Sequence, residues 1–271
     1  MIQNKKLAIL GTGNIGMSIV DGLLDSGEFQ AENIFLTRRR VNRLDKYAEL
    51  GIQVAGDNLE AVKFADTLIL AVEPQQMDEL LSQIKPGLDI GRHTLISVVT
   101  GVSIQQIVDG TVQGIAVVRA MPNTAISLRQ SITSLASVNR DGEELKIAES
   151  IFNTVGKTVK IEEELMGAAT ALGACGIAFF LRAIRAASQG GIEIGFHSKK
   201  SLMIAAQVAK GAAELILEMD QHPESEIDKV TTPRGVTIAG LNQMEHAGFS
   251  SAMIKGIVTS AEQASGIYKK G

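Results

Sequence analysis

The stretch Leu7–Met17 reads LAILGTGNIGM and leaves few folds open. Four apolar residues in a row, Leu7 to Leu10, describe a strand covered on both faces, as in the middle of a parallel sheet. Gly11-x-Gly13-x-x-Gly16 follows, and Met17–Leu24 continues with helical spacing. Each glycine of such a strand–turn–helix has its own task. Gly11 permits the sharp turn, Gly13 lets a pyrophosphate approach bare backbone, and Gly16 lets the helix pack closely on the strand. The first N–H groups of that helix have no acceptor within it, so they can hold phosphate oxygens. In this context the three glycines describe a dinucleotide site.

A second strand, Ile34–Leu36, ends at Thr37-Arg38-Arg39-Arg40. In a dinucleotide fold this is where the adenosine ribose is met, about 20 residues past the glycines. An acid here would bind a 2′-hydroxyl, but none occurs from Ile34 to Asn42. Three arginines instead match a 2′-phosphate in charge and fork geometry. NADPH is therefore expected ahead of NADH, which the same site also admits. Val41–Leu50 has helical spacing. Ile52–Ala55 is a short strand, and Asp57 or Asn58 caps the helix after it. Further apolar strands follow at Thr67–Val72, Thr94–Val99 and Ile115–Ala120, and a β-rich run at Ile132–Val138. They alternate with helical segments up to a last strand at Thr158–Ile161. This alternation gives an α/β, Rossmann-like, doubly wound and mostly parallel sheet over residues 1–161. Ligands of such sheets sit outside the carboxyl ends of the strands, where Gly11, Thr37, Val72, Thr100 and Met121 lie.

From Glu163 onward only helical spacing is present, in segments near 163–190, 198–220, 234–247 and 250–267, separated by Gly195, Pro223 and Gly248. Residues 162–271 thus form a second, all-α domain. Leu165–Leu181 carries no charge, yet falls short of the ~20 residues a membrane span needs. It is flanked by Glu162–Glu164 and by Arg182 and Arg185, so a buried helix of a soluble domain is expected. A helix this apolar needs more partners than about 100 residues supply. A second subunit is expected to cover it, in a homodimer formed through this domain. A net charge of −4 and the absence of Trp give no basic or aromatic surface for nucleic acid. Cys175 is the one cysteine, which rules out an internal disulfide and a cysteine-rich metal site. His93, His197, His222 and His246 share no metal-ligand spacing and read as surface or turn residues. The amino terminus lacks the apolar region of a secretory signal, and a cytoplasmic protein is expected.

Taken together, GTGNIG at Gly11–Gly16, AVEPQ at Ala71–Gln75, ISVVTGVSI at Ile96–Ile104, VVRAMPNT at Val117–Thr124 and VTTPRGVTIAGL at Val230–Leu241 resemble the pyrroline-5-carboxylate reductase family. The resemblance runs over essentially the whole chain. It implies hydride transfer from NADPH to the C=N carbon of 1-pyrroline-5-carboxylate, giving L-proline. It also implies a domain-exchanged dimer, with larger assemblies of dimers open. By position, it places Gly11, Gly13, Asn14, Ile15 and Gly16 at the pyrophosphate, Thr37, Arg38, Arg39 and Asn58 at the adenosine end, and Ala71, Val72 and Pro74 along the nucleotide. Asn123 falls near the nicotinamide and the substrate. Gly235, Val236 and Thr237 match the stretch that meets the substrate carboxylate and ring nitrogen, and Cys175 and Gly176 match a second substrate stretch. Two roles fit Thr237: a hydroxyl on the ring nitrogen, or the cap of the helix that follows.

Several positions depart from the family pattern. Leu172–Phe179 reads LGACGIAF where the family reads close to LSGSGPAY. Arg185 stands for a usual Glu, Gln189 for an Asp, Arg234 for the first Gly of a Pro-Gly-Gly turn, and Glu73 for a Lys. Arg182 and Arg185 share a helix face, either as a solvated or subunit-contact face or as a replacement anchor for a carboxylate. The altered turn Gly173–Ile177 keeps two other functions open: reduction of a different cyclic imine or related keto compound, and a nucleotide-binding regulator without catalysis.

Overall fold

The structure is a computed structural model and describes residues 5–219 and 221–264. An eight-stranded sheet carries the amino-terminal part. Its strands are β1 (Leu7–Leu10), β2 (Ile34–Thr37), β3 (Gln53–Ala55), β4 (Thr67–Leu70), β5 (Thr94–Ser97), β6 (Ala116–Met121), β7 (Ser131–Ser137) and β8 (Gly156–Lys160). They lie in the order β3-β2-β1-β4-β5-β6-β7-β8. All neighbours are parallel except β6 and β7. β1, β2 and β4 are buried at every position, as their unalternated apolar sequences require.

Side chains one apart on a strand point to opposite faces, and two core layers result. Leu7 and Ile9 of β1 pack with Ile19, Val20 and Leu23 of α1 (Asn14–Ser26) and with Ile151 and Phe152 of α6 (Glu143–Asn153). Ala8 and Leu10 face the other layer. There they join Ala61 and Val62 of α3 (Asn58–Phe64), Leu80, Leu81 and Ile84 of α4 (Met77–Ile84), and Ile107 of α5 (Ile104–Gly110). The strand order reverses at β1, between β2 and β4. At that point crossover helices leave toward opposite faces and a crevice opens at the strand ends.

Where a helix is interrupted or added, local chemistry explains it. Val41–Leu50 is split into a 3₁₀ turn, Val41–Leu44, and the short α2 (Asp45–Ala48). A β-branched Val and an Asn near its start are weak helix formers. Pro223, expected to separate two helices, instead opens α10 (Pro223–Lys229). Its fixed φ suits a first helical turn, and His222 caps the turn by accepting from the Glu224 N–H. His93 is buried, not a surface residue. Its Nδ1 accepts from the Asp89 N–H at 2.8 Å, which leaves Nε2 to donate to Val62 O at 3.1 Å.

By contacts the chain divides into two compact units: Met1–Cys175 with Ser260–Gly271, and Gly176–Thr259. The second contains α8 (Gly176–Glu193), α9 (Ser198–Met219), α10, α11 (Val236–His246) and most of α12 (Phe249–Ala264). α8 and α9 pack closely because small residues meet: a side chain at Gly191 would collide with Ser201, whose hydroxyl donates to Ser188 O at 2.6 Å. α8 is the end of a continuous helical stretch, Glu163–Glu193, of 31 residues that begins with a 3₁₀ turn and the short α7 (Met166–Ala169). By length and composition that stretch is sufficient to cross a membrane, so the shortness of Leu165–Leu181 does not exclude a span. In the single chain its apolar face is largely open, with Leu172, Phe180 and Leu181 each about 60% exposed. α9 likewise leaves Met203, Val208 and Leu217 exposed. The helix expected to be buried is therefore uncovered within one copy.

Candidate active site

A cavity of about 540 Å³ opens where β1, β2 and β4 end. Its floor is backbone. Gly11 has φ +84°, a conformation that favours glycine, and a Cβ there would stand 2.5 Å from Val72 Cγ1. A Cβ on Gly13 would come no nearer than 4.0 Å to anything, and that to Gly11 O. It would take up open space beside the turn that the bare backbone leaves to a ligand. Gly16 faces the sheet, where an added Cβ would be 3.1 Å from Ile9 Cγ2. The start of α1 has no side-chain cap and no acid in its first turn. By contrast, Asp57 caps α3, and Ser103 with Gln106 forms a complete capping box on α5. An uncapped helix start beside backbone stripped of side chains suits an anion.

Arg38, Arg39 and Arg40 line the next part of the cavity. Among the described residues none of the three enters an ion pair. Behind them runs a chain of hydrogen bonds. The Gly11 N–H donates to Thr37 Oγ1 at 3.3 Å, and that hydroxyl donates to Asn58 Oδ1 at 2.6 Å. Asn58 Nδ2 donates to Gln83 Oε1 at 2.9 Å, and Gln83 Nε2 donates to Glu79 Oε1 at 3.2 Å. Because Asp57 accepts from the Leu59 N–H, the Asn58 side chain is free for this chain. Gln83 and Glu79 line the cavity with Gln76 and Leu80, and nothing in the sequence motifs singles them out. Their one visible signal was i,i+4 spacing on a helix whose other face buries Met77, Leu80, Leu81 and Ile84.

Of the residues expected at a nucleotide, Gly11, Gly13, Thr37, Arg38, Arg39, Asn58, Ala71 and Val72 share this one cavity. Asn14, Ile15, Gly16, Pro74 and Asn123 are not part of its lining. Ile15 packs against the core, and Asn14 and Gly16 belong to the first turn of α1. Pro74 starts a 3₁₀ turn, Pro74–Gln76, ahead of α4. Glu73, the residue in the place of a Lys, also lines the cavity.

Asn123 is buried just after β6, and its polar groups are engaged. Its N–H donates to Ser131 Oγ, its Oδ1 accepts from the Ala125 N–H, and its Nδ2 donates to Gly173 O, each at 3.0 Å. Gly173 lies in a π-helical turn, Thr170–Cys175. Such a turn accommodates an extra residue and disturbs the regular backbone ladder, and here the Gly173 carbonyl takes a side-chain donor. Cys175 ends the turn half-buried, and Gly176, buried, begins α8. Nearby, Arg119 of β6 donates to Glu163 Oε1 at 3.2 Å, and the same oxygen accepts from the Ile104 N–H at 2.7 Å. Burial pushes the Arg119 pKa down, and Glu163 opposes that shift.

The remaining substrate-side residues belong to the helical unit. Gly235 is the N-cap of α11, with Val236 and Thr237 in its first turn. Thr237 therefore does not cap the helix, which removes one of its two expected roles. Arg234 has φ +60°, the left-handed conformation that a glycine takes up without strain. Arg185 and Gln189 share a hollow on α8 and α9 with Lys199.

The family model "Pyrroline-5-carboxylate reductase dimerisation" matches residues 163–267, and "NADP oxidoreductase coenzyme F420-dependent" matches residues 6–101. The first match makes the helical region a self-association domain, which accounts for its uncovered apolar faces. Pyrroline-5-carboxylate reductase 1 of Dictyostelium discoideum is 50% identical over 98% of this chain. The chain spans half of that relative's length. The pyrroline-5-carboxylate reductase of Methanosarcina acetivorans is 35% identical, over 99% of this chain and all of the relative. A solved pyrroline-5-carboxylate reductase from Coxiella burnetii superposes with a TM-score of 0.93 at 26% identity, covering 99% of this chain and all of the other. With a glycine-floored cavity at the sheet's switch point, a helical self-association region and relatives matched from end to end, this chain belongs to the pyrroline-5-carboxylate reductase family.

Proposed function

We propose that the chain reduces 1-pyrroline-5-carboxylate to L-proline with NADPH. The observation that carries this reading is the cavity at the end of β1, where bare backbone at Gly11 and Gly13 shares the lining with three arginines that have no ion-pair partner among the described residues. When bound, the reduced nicotinamide supplies the hydride. Gly11, Gly13 and the first-turn N–H groups of Asn14, Ile15 and Gly16 hold the diphosphate. Thr37, Arg38, Arg39 and Asn58 hold the adenosine end and its 2′-phosphate, and Ala71, Val72 and Pro74 border the rest of the nucleotide. A protonated imine is already electrophilic, so the protein's work is to position it and anchor its carboxylate. The Thr237 hydroxyl accepts a hydrogen bond from the iminium N–H. Gly235 and Val236 offer backbone to the carboxylate, and Cys175 and Gly176 border the ring. Asn123 positions the π-helical turn through Gly173 O.

In this reading residues 1–161 form the nucleotide domain and residues 162–271 the substrate and dimer domain. The protein acts as a homodimer in the cytoplasm. Purified protein should consume NADPH when 1-pyrroline-5-carboxylate is added and yield proline. Tight NADPH binding with no turnover would remove this substrate, and cyclic imines of other ring size would then be the ones to assay. No binding of either reduced pyridine nucleotide in a calorimeter would remove the whole reading.

A further inference from the structure

The cavity contains more polar side chains than a phosphate-binding turn and a 2′-phosphate need. Gly11 and Gly13, after β1, and Arg38 to Arg40, after β2, are both in its lining. The lining also includes Asn58, Leu80, Glu79 and Gln83, the last two on one face of α4. Gln83 is tied to Asn58, and Asn58 to Thr37 beside the arginines. The carboxyl-terminal half of α4 is thus fixed to the adenosine side of the cavity. Gln76, at the other end of this helical segment, stands about 10 Å away along the axis and beside the Glu73 turn.

The direction of the hydrogen bonds matters. Each member donates onward, from the Gly11 N–H to Thr37, Asn58 and Gln83, and the chain ends on Glu79 Oε1. Bonds aligned this way polarise one another and fix the rotamer of the terminal carboxylate. Among the described residues the only hydrogen bond to the Glu79 carboxylate is the one from Gln83, made at Oε1. Its second oxygen is an acceptor on a side chain that lines the cavity. At the base end of an adenine nucleotide, the strongest outward donor is the exocyclic amine. Leu80 offers apolar surface in the same lining.

We infer that Glu79, aimed by Gln83, reads the base of the nucleotide by accepting a hydrogen bond from the adenine amine. Glu79 is then a specificity-determining residue and Gln83 its positioning residue. The inference rests on the nucleotide reading of the cavity given above. Replacing the amine by a carbonyl, as in the hypoxanthine analogue of NADPH, sets two acceptors against each other at this point. A hydrogen bond to a charged group is of a size that makes such a mismatch about tenfold or more in affinity.

The test is calorimetric titration of the full-length protein with NADPH and with nicotinamide hypoxanthine dinucleotide phosphate, reduced form. The wild type is expected to bind NADPH at least about tenfold more tightly. In Glu79→Gln the side-chain amide can donate to the carbonyl, and the ratio should fall to about threefold or less. Gln83→Met, which lets the carboxylate swing, should give an intermediate ratio, a change that a purely structural role would not produce. Equal affinities in the wild type, or a preference that survives intact in Glu79→Gln, would overturn the inference while leaving the nucleotide site standing. Failure of either nucleotide to bind the wild type would overturn the nucleotide reading, and this inference with it.

Discussion

Two single residues lead to sharp expectations. Arg39 lines the cavity with no acidic partner among the described residues, so its charge is available to a 2′-phosphate. Arg39→Ala should weaken NADPH binding about tenfold and leave NADH binding nearly unchanged, as titration with the two nucleotides would show. Tyr47 concerns stability. It is fully buried beneath α1, and burial, with Asp21 adding, raises its phenol above the ordinary 10.0. The native state therefore keeps a proton that the unfolded chain gives up once the pH passes that ordinary value. The associated stability is present in full below about pH 10 and is lost progressively above it. Urea unfolding should show a steep fall in stability above that pH, and Tyr47→Phe should flatten the fall. Arg234 is a residue whose oddity was visible early, as a departure at a glycine position. Only the backbone shows that it takes up a left-handed conformation, at a cost of roughly 1 kcal/mol.

Among elements, the starts of α3 and α5 are closed by a side chain, whereas the start of α1, beside the cavity, is left open. Ser103→Ala removes the capping box of α5 and should cost about 1 kcal/mol, read as a lowered Tm with nucleotide affinity intact. Asn123→Asp is expected to act differently. The new carboxylate still accepts from the Ala125 N–H but turns an acceptor toward Gly173 O in place of the present donor. The π-helical turn should be displaced, with kcat/KM for the imine falling about tenfold or more and NADPH affinity retained. Strands and most helices of this part could be read from sequence because unalternated apolar runs and 3.6-residue spacing come from burial itself, as at Leu7–Leu10 and Met77–Ile84. The π-helical turn could not, since LGACG has ordinary helical spacing and its irregularity lies in which carbonyl meets which donor. Glu79 and Gln83 were hidden for a related reason. Polar residues on the outer face of a helix look alike whether they meet water or a cavity. The glycine floor and the arginines were legible because bare backbone and clustered cations have few other uses at that spacing.

For the whole molecule, the governing observation is the helical unit's uncovered apolar surface. Met203 and Val208 on α9 are each about two-thirds exposed in one copy, and the family match assigns the region to dimerisation. Met203→Glu with Val208→Glu would place charges where a partner helix is to pack. Analytical ultracentrifugation should find the variant monomeric at concentrations that keep the wild type associated, with NADPH binding still measurable. The same match changes the meaning of the 31-residue apolar stretch, which is composed like a membrane span but matches the dimerisation model over 163–267.

That greasy ridge also sets a clock on the protein's birth. A newly made copy carries, along α8 and α9, side chains that water rejects, and its remedy is a sibling rather than further folding. At low copy number two newborn chains meet slowly, and other sticky surfaces compete for them. Soluble yield should thus climb faster than in proportion to the rate of synthesis, and co-producing the glutamate double variant should not rescue a dilute wild-type pool.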